Sequence, residues 1–121
     1  MIYYHATLKE NVFSIIKEGL KTGYDGCTYL CKSEKECLSF FNLPNRFLKF
    51  IPEKNTWAFL DKIEIAVIPL ELDESTVHES NDHNKAFIKA DAYYIDYDIP
   101  KEKIPLLNKI QLYELHRPDW S

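Results

Sequence analysis

Ile2-Tyr3-Tyr4-His5-Ala6-Thr7 is the stretch that decides how the rest of this chain is interpreted. The β-branched and aromatic residues at its start predict a short strand. The overlapping segment Thr7-Leu8-Lys9-Glu10 matches a capping box, in which the Thr7 hydroxyl accepts from the backbone N–H of Glu10 and a helix begins. We therefore expect His5 at the C-terminal tip of the first strand. A polar residue there often belongs to a site, although a single histidine is more often structural.

Two helices are predicted from apolar spacing and from end signals. The first carries one apolar stripe at helical spacing, made of Leu8, Val12, Ile15, Ile16 and Leu20. Gly19 lies where a residue in the left-handed conformation commonly ends a helix. A second capping box, Ser33-Glu34-Lys35-Glu36, begins a helix that should end by Asn42, because Pro44 disfavours helical geometry in the residues before it.

Strands are predicted at residues 27–31, 56–60, 62–70, 93–99 and 110–115. The clearest is 62–70, in which one face is fully apolar and the other partly so. Residues 45–54 are ambiguous between a strand and an irregular loop, and the polar residues 73–85 predict a surface loop. Because strands and helices do not alternate strictly, we expect one α+β domain over residues 1–121 rather than a doubly wound parallel sheet.

Composition and charge disfavour several classes of protein. The 121 residues are 45% hydrophobic and 14% aromatic, which argues against disorder. The formal net charge of −4 gives no bulk attraction for nucleic acid. We expect neither a secretory signal nor a membrane span, because no run approaches ~18–20 apolar residues. The three cysteines, an odd number in one segment, are typical of reduced thiols in the cytoplasm.

Three segments together resemble motifs of a known family. Tyr4-His5-Ala6-Thr7, with a helix ending Glu18-Gly19-Leu20, resembles the opening of the ADP-ribosyltransferase superfamily, where a Tyr-His-Gly-Thr signature precedes a helix ending in Gly-Leu. Gly26-Cys27-Thr28-Tyr29-Leu30 is similar to its second motif, a tyrosine on a short strand after a glycine-containing loop. Residues 93–99, followed by Pro100-Lys101, resemble the strand of the third motif in the poly-ADP-ribose-polymerase-like branch.

The resemblance implies a small split antiparallel β-sheet core with flanking helices and a cleft that grips NAD⁺ by its nicotinamide end. His5 would bond a ribose hydroxyl, and the backbone of Ala6, with Thr7 completing the signature, would hold the carboxamide. Tyr29 would stack on the nicotinamide ring, and Phe40 would close the other face. No metal is required, because the bond breaks through an oxocarbenium-like species that needs rigid orientation and a water-poor cradle.

The chain departs from the family pattern at two positions. The third motif residue is commonly a glutamate, and the alignment places Tyr93 there, giving a His-Tyr-Tyr set. A shift of register would bring in Asp91 instead, which alternation puts on the same face as Tyr93. Ala6 replaces the signature glycine, a mild change. A sister activity, RNA 2′-phosphotransfer, depends on several arginines and is disfavoured, because the chain has only Arg46 and Arg117, neither near the motifs in sequence.

Three functions from different classes follow. The first is a mono-ADP-ribosyltransferase that cleaves NAD⁺ and transfers ADP-ribose to a protein or nucleic-acid acceptor, in the manner of a toxin or a phage–host conflict protein. The second is a catalytically inactive module that binds NAD or an ADP-ribose-derived nucleotide. The third is a protein-interaction domain without a ligand. The sequence leaves the acceptor and the oligomeric state open.

Other residue clusters have simpler interpretations. Cys27, Cys31 and Cys37 lack the paired spacing and fourth ligand of a structural zinc site, so buried thiols are expected. A polar loop holds His78, Glu79, Asp82 and His83, which we expect to be solvated rather than metal-bound. A mixed segment could form a basic aromatic patch for a single strand, a nucleotide or an acceptor, through Arg46, Phe47, Lys49, Phe50, Lys54 and Trp57.

Overall fold

The architecture is α+β, with antiparallel sheets and two helices in the part of the chain described by the computed structural model, residues 1–80 and 92–117. The helices are α1 (Val12–Glu18) and α2 (Glu34–Phe41). The strands are β1 (Ile2–Leu8), β2 (Thr28–Leu30), β3 (Leu48–Ile51), β4 (Thr56–Phe59), β5 (Lys62–Glu71), β6 (His78–Ser80), β7 (Ala92–Ile95) and β8 (Gln111–His116). Neither helix has the length and apolar character needed to cross a membrane.

Strand β5 is the centre of the core because both of its faces are buried. It lies between β1 and β8 in a three-stranded antiparallel sheet. Ala66, Ile68 and Leu70 pack on one side with α1 and β7 residues, and Ile63, Ile65 and Val67 pack on the other with α2 and Phe47. This alternation confirms the two apolar faces expected for residues 62–70.

A second three-stranded sheet, in the order β2-β7-β6, and a separate hairpin of β3 and β4 complete the strands. An isolated antiparallel bridge joins the two larger sheets at Tyr4 and Cys31. Another bridge joins Leu20, after α1, to Ile99, after β7. Gly19 makes this second bridge possible, because its φ is +88° and a Cβ built there would lie 2.4 Å from the Ile99 carbonyl oxygen.

The capping box predicted at Thr7 is wrong, whereas the one at Ser33 is confirmed. Strand β1 continues to Leu8, and a 3₁₀ turn, Lys9–Asn11, precedes α1. Pairing with β5 places Thr7 opposite Ala66, so the sheet overrides the local helix-start signal. At α2 the Ser33 hydroxyl accepts from the backbone N–H of Glu36 at 3.1 Å, and the helix ends at Phe41 as expected.

Two other predicted segments differ from the structure, and one that was left open is now defined. Strand β7 ends at Ile95, so the alternating residues 96–99 form a bend and a bridge rather than strand. The ambiguous residues 45–54 contain β3 between two 3₁₀ turns. The polar loop 73–85 holds a 3₁₀ turn, Glu74–Thr76, and β6, and its remainder past residue 80 lies outside the described residues.

Candidate functional site

A cleft opens where β1 and β2 separate beyond their single bridge. At the bridge, Tyr4 and Cys31 exchange two backbone hydrogen bonds of 2.8 and 2.9 Å. Beyond it the strands diverge around a cavity of about 720 Å³, a size typical of small-ligand sites. Its described lining includes His5, Ala6, Thr7, Asn11, Lys21, Cys27, Tyr29, Phe40, Phe41, Arg46, Leu48 and Ala92. The structure therefore brings His5, Ala6, Thr7, Tyr29 and Phe40 together along one cleft.

His5 fastens the two sides of the cleft and has a defined tautomer. Its Nδ1 lies 2.9 Å from the backbone oxygen of Tyr29. A carbonyl oxygen can only accept, so Nδ1 carries the proton, and in the neutral ring Nε2 is an acceptor. Burial lowers the pKa of His5 below its usual 6.5, and the bond to Tyr29 opposes this only in part. The neutral imidazole is therefore the form at neutral pH, with Nε2 able to receive a hydroxyl proton.

The backbone of Ala6 faces the gap between the strands. Successive residues of a strand direct their N–H and C=O groups alternately to its two edges. The N–H and C=O groups of Tyr4 are both hydrogen-bonded to Cys31. Ala6 lies two residues further along β1, so its own N–H and C=O point toward the same edge. There β2 has already diverged, and Ala6 lines the cleft. A donor and an acceptor side by side are the complement of a carboxamide.

Tyr29 presents its ring to the cleft from β2 and is held by its own loop. Its side chain is 43% exposed, and its hydroxyl donates to Oδ2 of Asp25 at 2.7 Å. Oδ1 of the same carboxylate accepts from the backbone N–H of Cys27 at 3.1 Å. The bond from Tyr29, followed by that from Cys27, lowers the pKa of Asp25. The sequence reasoning missed Asp25, although an aspartate in a glycine-containing turn is a recognisable local signal.

Thr7 and Phe40 line the cleft from two different elements, β1 and α2. Thr7 is buried on β1, and its hydroxyl accepts a hydrogen bond from the Asn11 side-chain amide at 3.0 Å. Phe40 is half-buried on α2. Thr7 therefore shapes the wall near the start of the 3₁₀ turn, and Phe40 contributes an aromatic side chain from α2.

Tyr93 is not brought together with these residues. Directly opposed residues of antiparallel strands share a face, and β7 places Tyr94 opposite Tyr29 but Tyr93 opposite Leu30. Tyr93 therefore faces the core side, where its ring packs on Tyr3 at 5.8 Å between centroids. The alternation that groups Tyr93 with the buried Ile95 already carried this signal. The alternative third residue, Asp91, lies outside the described residues.

Two cations line the cleft that the motif reasoning did not include. Lys21 and Arg46 are both lining residues, and the Arg46 guanidinium lies 4.5 Å from the centroid of the Phe41 ring. Arg46 is far from the motifs in sequence but adjoins the cleft in the fold, because the turn before β3 packs beside α2. No aspartate or glutamate is among the lining residues in the described part of the chain. The positive charge of Lys21 and Arg46 suits a ligand that carries phosphate groups.

Two of the cysteines at the cleft wall, Cys31 and Cys37, are buried, whereas Cys27 is partly exposed. The Cys37 thiol donates to the Tyr4 carbonyl oxygen at 3.2 Å. A hydrogen bond with Cys37, together with burial, raises the pKa of Cys31 far above the ordinary thiol range. A protonated thiol is a poor nucleophile. Among residues 1–80 and 92–117 no group of three or more potential ligands could hold a metal ion, and Asp82 and His83 lie outside those ranges.

No protein-family model matches this chain, and no curated protein matches it. Any function must therefore be inferred from the cleft and from the residues that line it.

Proposed function

We propose that this chain is a mono-ADP-ribosyltransferase with an ADP-ribosyltransferase-like fold, which cleaves NAD⁺ in the cleft between β1 and β2 and transfers ADP-ribose to a macromolecular acceptor. One observation carries the proposal: His5, Ala6 and Tyr29, from two separate motifs, line the same cleft, and His5 is hydrogen-bonded to Tyr29. The same proposal places the protein in a reducing cytoplasm, which suits its odd number of cysteines.

Each lining residue has a role that its chemistry supports. Nε2 of neutral His5 would accept from a ribose hydroxyl, and the Ala6 backbone edge would pair with the carboxamide. The exposed ring of Tyr29 would stack on the nicotinamide. Lys21 and Arg46 would neutralise the diphosphate, for which the planar guanidinium is well suited. Binding would thus fix the nicotinamide ribose beside His5.

The transfer balances without a metal or a redox partner. The bond between C1′ of the ribose and the nicotinamide nitrogen breaks, and its electron pair stays with the nitrogen, so neutral nicotinamide leaves. A lone pair of the acceptor forms the new bond at C1′, and the acceptor releases its proton to solvent. The protein contributes orientation and exclusion of water, while the aromatic face of Tyr29 stabilises the positive charge that develops on the ribose.

A second function is favoured by the lack of a carboxylate among the described lining residues. In transferases of this family the third-motif glutamate polarises the ribose hydroxyl, and Tyr93 faces the core instead. A chain that keeps the residues that contact nicotinamide, but has no carboxylate to polarise the ribose hydroxyl, would bind NAD⁺ or an ADP-ribose derivative without cleaving it. This is the inactive binding module, and it shares every binding residue with the transferase.

Turnover separates the two functions. NAD⁺ carrying a label on its adenine is incubated with the protein and a mixed cell extract, and both nicotinamide release and label transfer are measured. Release and transfer that are lost in His5→Ala and Tyr29→Ala, but kept in the matched surface variant Phe13→Ala, support the transferase. Binding without release in any extract supports the module. Release that is equal in all four proteins would show that the cleft is not the site.

A further inference from the structure

The hairpin of β3 and β4 presents an apolar face to solvent. Its register pairs Leu48 with Phe59 and Phe50 with Trp57, so these side chains lie on one face of a two-stranded sheet. Their exposed fractions are 38%, 49%, 40% and 63%, respectively. The Phe50 and Trp57 rings are 5.3 Å apart between centroids and tilted by 54°. Contiguous exposed aromatic residues of this kind mark a binding surface rather than a core.

The base of the hairpin is firmly anchored, so the surface is preorganised. Phe47 is fully buried in the core, and its carbonyl oxygen accepts from the backbone N–H of Leu60 at 2.7 Å. The tip turns through Asn55, which adopts the left-handed conformation with φ +47°. A rigid pair of rings loses little conformational entropy when a partner stacks on it.

The charge of this segment is opposite to that of the whole chain. The hairpin, residues 48–59, contains Lys49, Lys54 and Glu53, a formal charge of +1, whereas the chain has a formal net charge of −4. Lys49 lies opposite Ala58, on the face away from the apolar side chains. The Arg117 guanidinium lies 5.5 Å from the centroid of the Phe59 ring, and Lys54 belongs to the turn at the tip. One cation therefore lies at each end of the hairpin, where Arg117 is also 3.5 Å from Oδ1 of Asp61 and Lys54 directly follows Glu53. A polyanion would be drawn to this hairpin and repelled by the acidic remainder.

The aromatic face is continuous with the cleft. Leu48 belongs to both surfaces, since it lines the cavity and stands beside Phe59 on the hairpin. Arg46, just before β3, also lines the cavity. A chain-like partner lying across Phe50 and Trp57 would therefore reach the cavity mouth at Leu48.

We propose that this hairpin face binds single-stranded DNA. Stacking rings with flanking cations are the combination that recognises unpaired bases and their phosphates, and every base offers a face to stack. A duplex hides those faces. On an apolar surface a deoxyribose is buried without the cost of removing water from a 2′-hydroxyl, which favours DNA over RNA. That the bound DNA strand also serves as the ADP-ribose acceptor rests on the proposed function. The binding of single-stranded DNA to the hairpin does not.

Binding can be tested without NAD⁺. A labelled oligothymidine of about 12 nucleotides, a length that spans one such site, is titrated with the protein at low salt, and fluorescence anisotropy is followed. Trp57→Ala and Phe50→Ala should each weaken binding by roughly 5- to 150-fold, the usual range for losing one stacked base. Trp57→Phe, which keeps a ring, should retain most of the affinity and show that the fold is intact. Phe13→Ala, which removes a ring that is 78% exposed on α1, is the matched control.

His5→Ala separates this proposal from the proposed function. It should lose NAD⁺ binding and bind the oligothymidine normally. The NAD⁺ result tests the proposed function, and the oligothymidine result tests the hairpin proposal. The proposal is overturned if the wild type does not bind the oligothymidine, or binds a duplex or an oligouridine as tightly. It is equally overturned if Trp57→Ala binds like the wild type, or if that substitution instead abolishes self-association of the protein, which would assign the face to a second copy.

Discussion

His5 and Tyr29 are joined by a hydrogen bond of 2.9 Å between the imidazole Nδ1 and the backbone oxygen, across the point where two sheets separate. The bond does two things at once. It joins β1 and β2 beside their single bridge, and it leaves Nε2 of the neutral ring as the acceptor of a residue that lines the cleft. Structure and binding chemistry are therefore coupled through one side chain.

The first prediction concerns pH. Because burial lowers the pKa of His5 below 6.5, folding favours the neutral ring. The contribution of neutral His5 to the free energy of unfolding is complete above the ordinary histidine pKa. It is lost as the pH falls through the lowered pKa of His5 in the folded protein. The melting temperature of the wild type should therefore fall between about pH 7 and about pH 5. His5→Gln should flatten this decline, whereas Phe13→Ala, at an exposed residue that does not titrate, should leave it unchanged. Parallel declines in all three proteins would contradict the assignment.

The second prediction concerns the support of Tyr29. Asp25→Ala removes the acceptor of the Tyr29 hydroxyl and the turn bond to Cys27, so the ring should lose its fixed orientation. We expect NAD⁺ affinity to fall by roughly 3- to 10-fold. Tyr29→Phe removes only the hydroxyl bond and should have a similar or smaller effect. The double variant should be no worse than Asp25→Ala alone, because that variant already lacks the same bond. Asp73→Ala, which breaks a comparable turn at Ser75, is the control and should not alter affinity. Additive losses would show that the two residues act separately.

The third prediction concerns the cations of the cleft. Arg46→Gln should weaken NAD⁺ binding by roughly 10-fold at low salt, because one charge facing the diphosphate is lost. Binding of nicotinamide riboside, which has no phosphate, should be unaffected. Arg117→Gln removes the other arginine, which lies at the hairpin rather than among the cleft residues, and should change neither ligand's affinity. An equal loss for both ligands in Arg46→Gln would point to disturbed packing on Phe41 instead.

The fourth prediction concerns the bridge after α1. Gly19→Ala should lower the free energy of unfolding by at least about 2 kcal/mol, since the φ of +88° strains an alanine and the new Cβ meets the Ile99 carbonyl oxygen at 2.4 Å. Gly23→Ala is the matched control. A Cβ there meets its nearest atoms at 3.4 Å, so its effect should stay within about 1 kcal/mol. Denaturant unfolding of both variants measures the difference, and equal effects would contradict the close approach.

Features set by local chemistry could be predicted from the sequence. The Ser33 cap depends only on the first turn of its own helix. The positive φ of Gly19 follows from a glycine placed at the end of a helix. The two apolar faces of β5 follow from alternation within one strand. The α+β class followed from the order of these elements, and His5 and Tyr29 both line the cleft.

Features set by pairing between distant segments could not be predicted in the same way. The length of β1 depends on β5, so Thr7 extends a strand instead of capping a helix. The face of Tyr93 depends on which residue of β2 lies opposite, and a difference of one residue reverses it. Arg46 reaches the cleft only through the packing of the turn before β3, which no short motif encodes.

The most direct measurement is calorimetric titration of NAD⁺ into the wild type, His5→Ala and the matched variant His116→Ala at neutral pH. We expect one NAD⁺-binding site in the wild type and in His116→Ala. In His5→Ala the affinity should fall by roughly 10-fold or more, because Nε2 and the bond to Tyr29 are lost together. Unliganded melting curves confirm that each variant is folded. If folded His5→Ala binds NAD⁺ as tightly as the wild type does, or if the wild type does not bind NAD⁺, the proposed NAD⁺ site at His5 is contradicted.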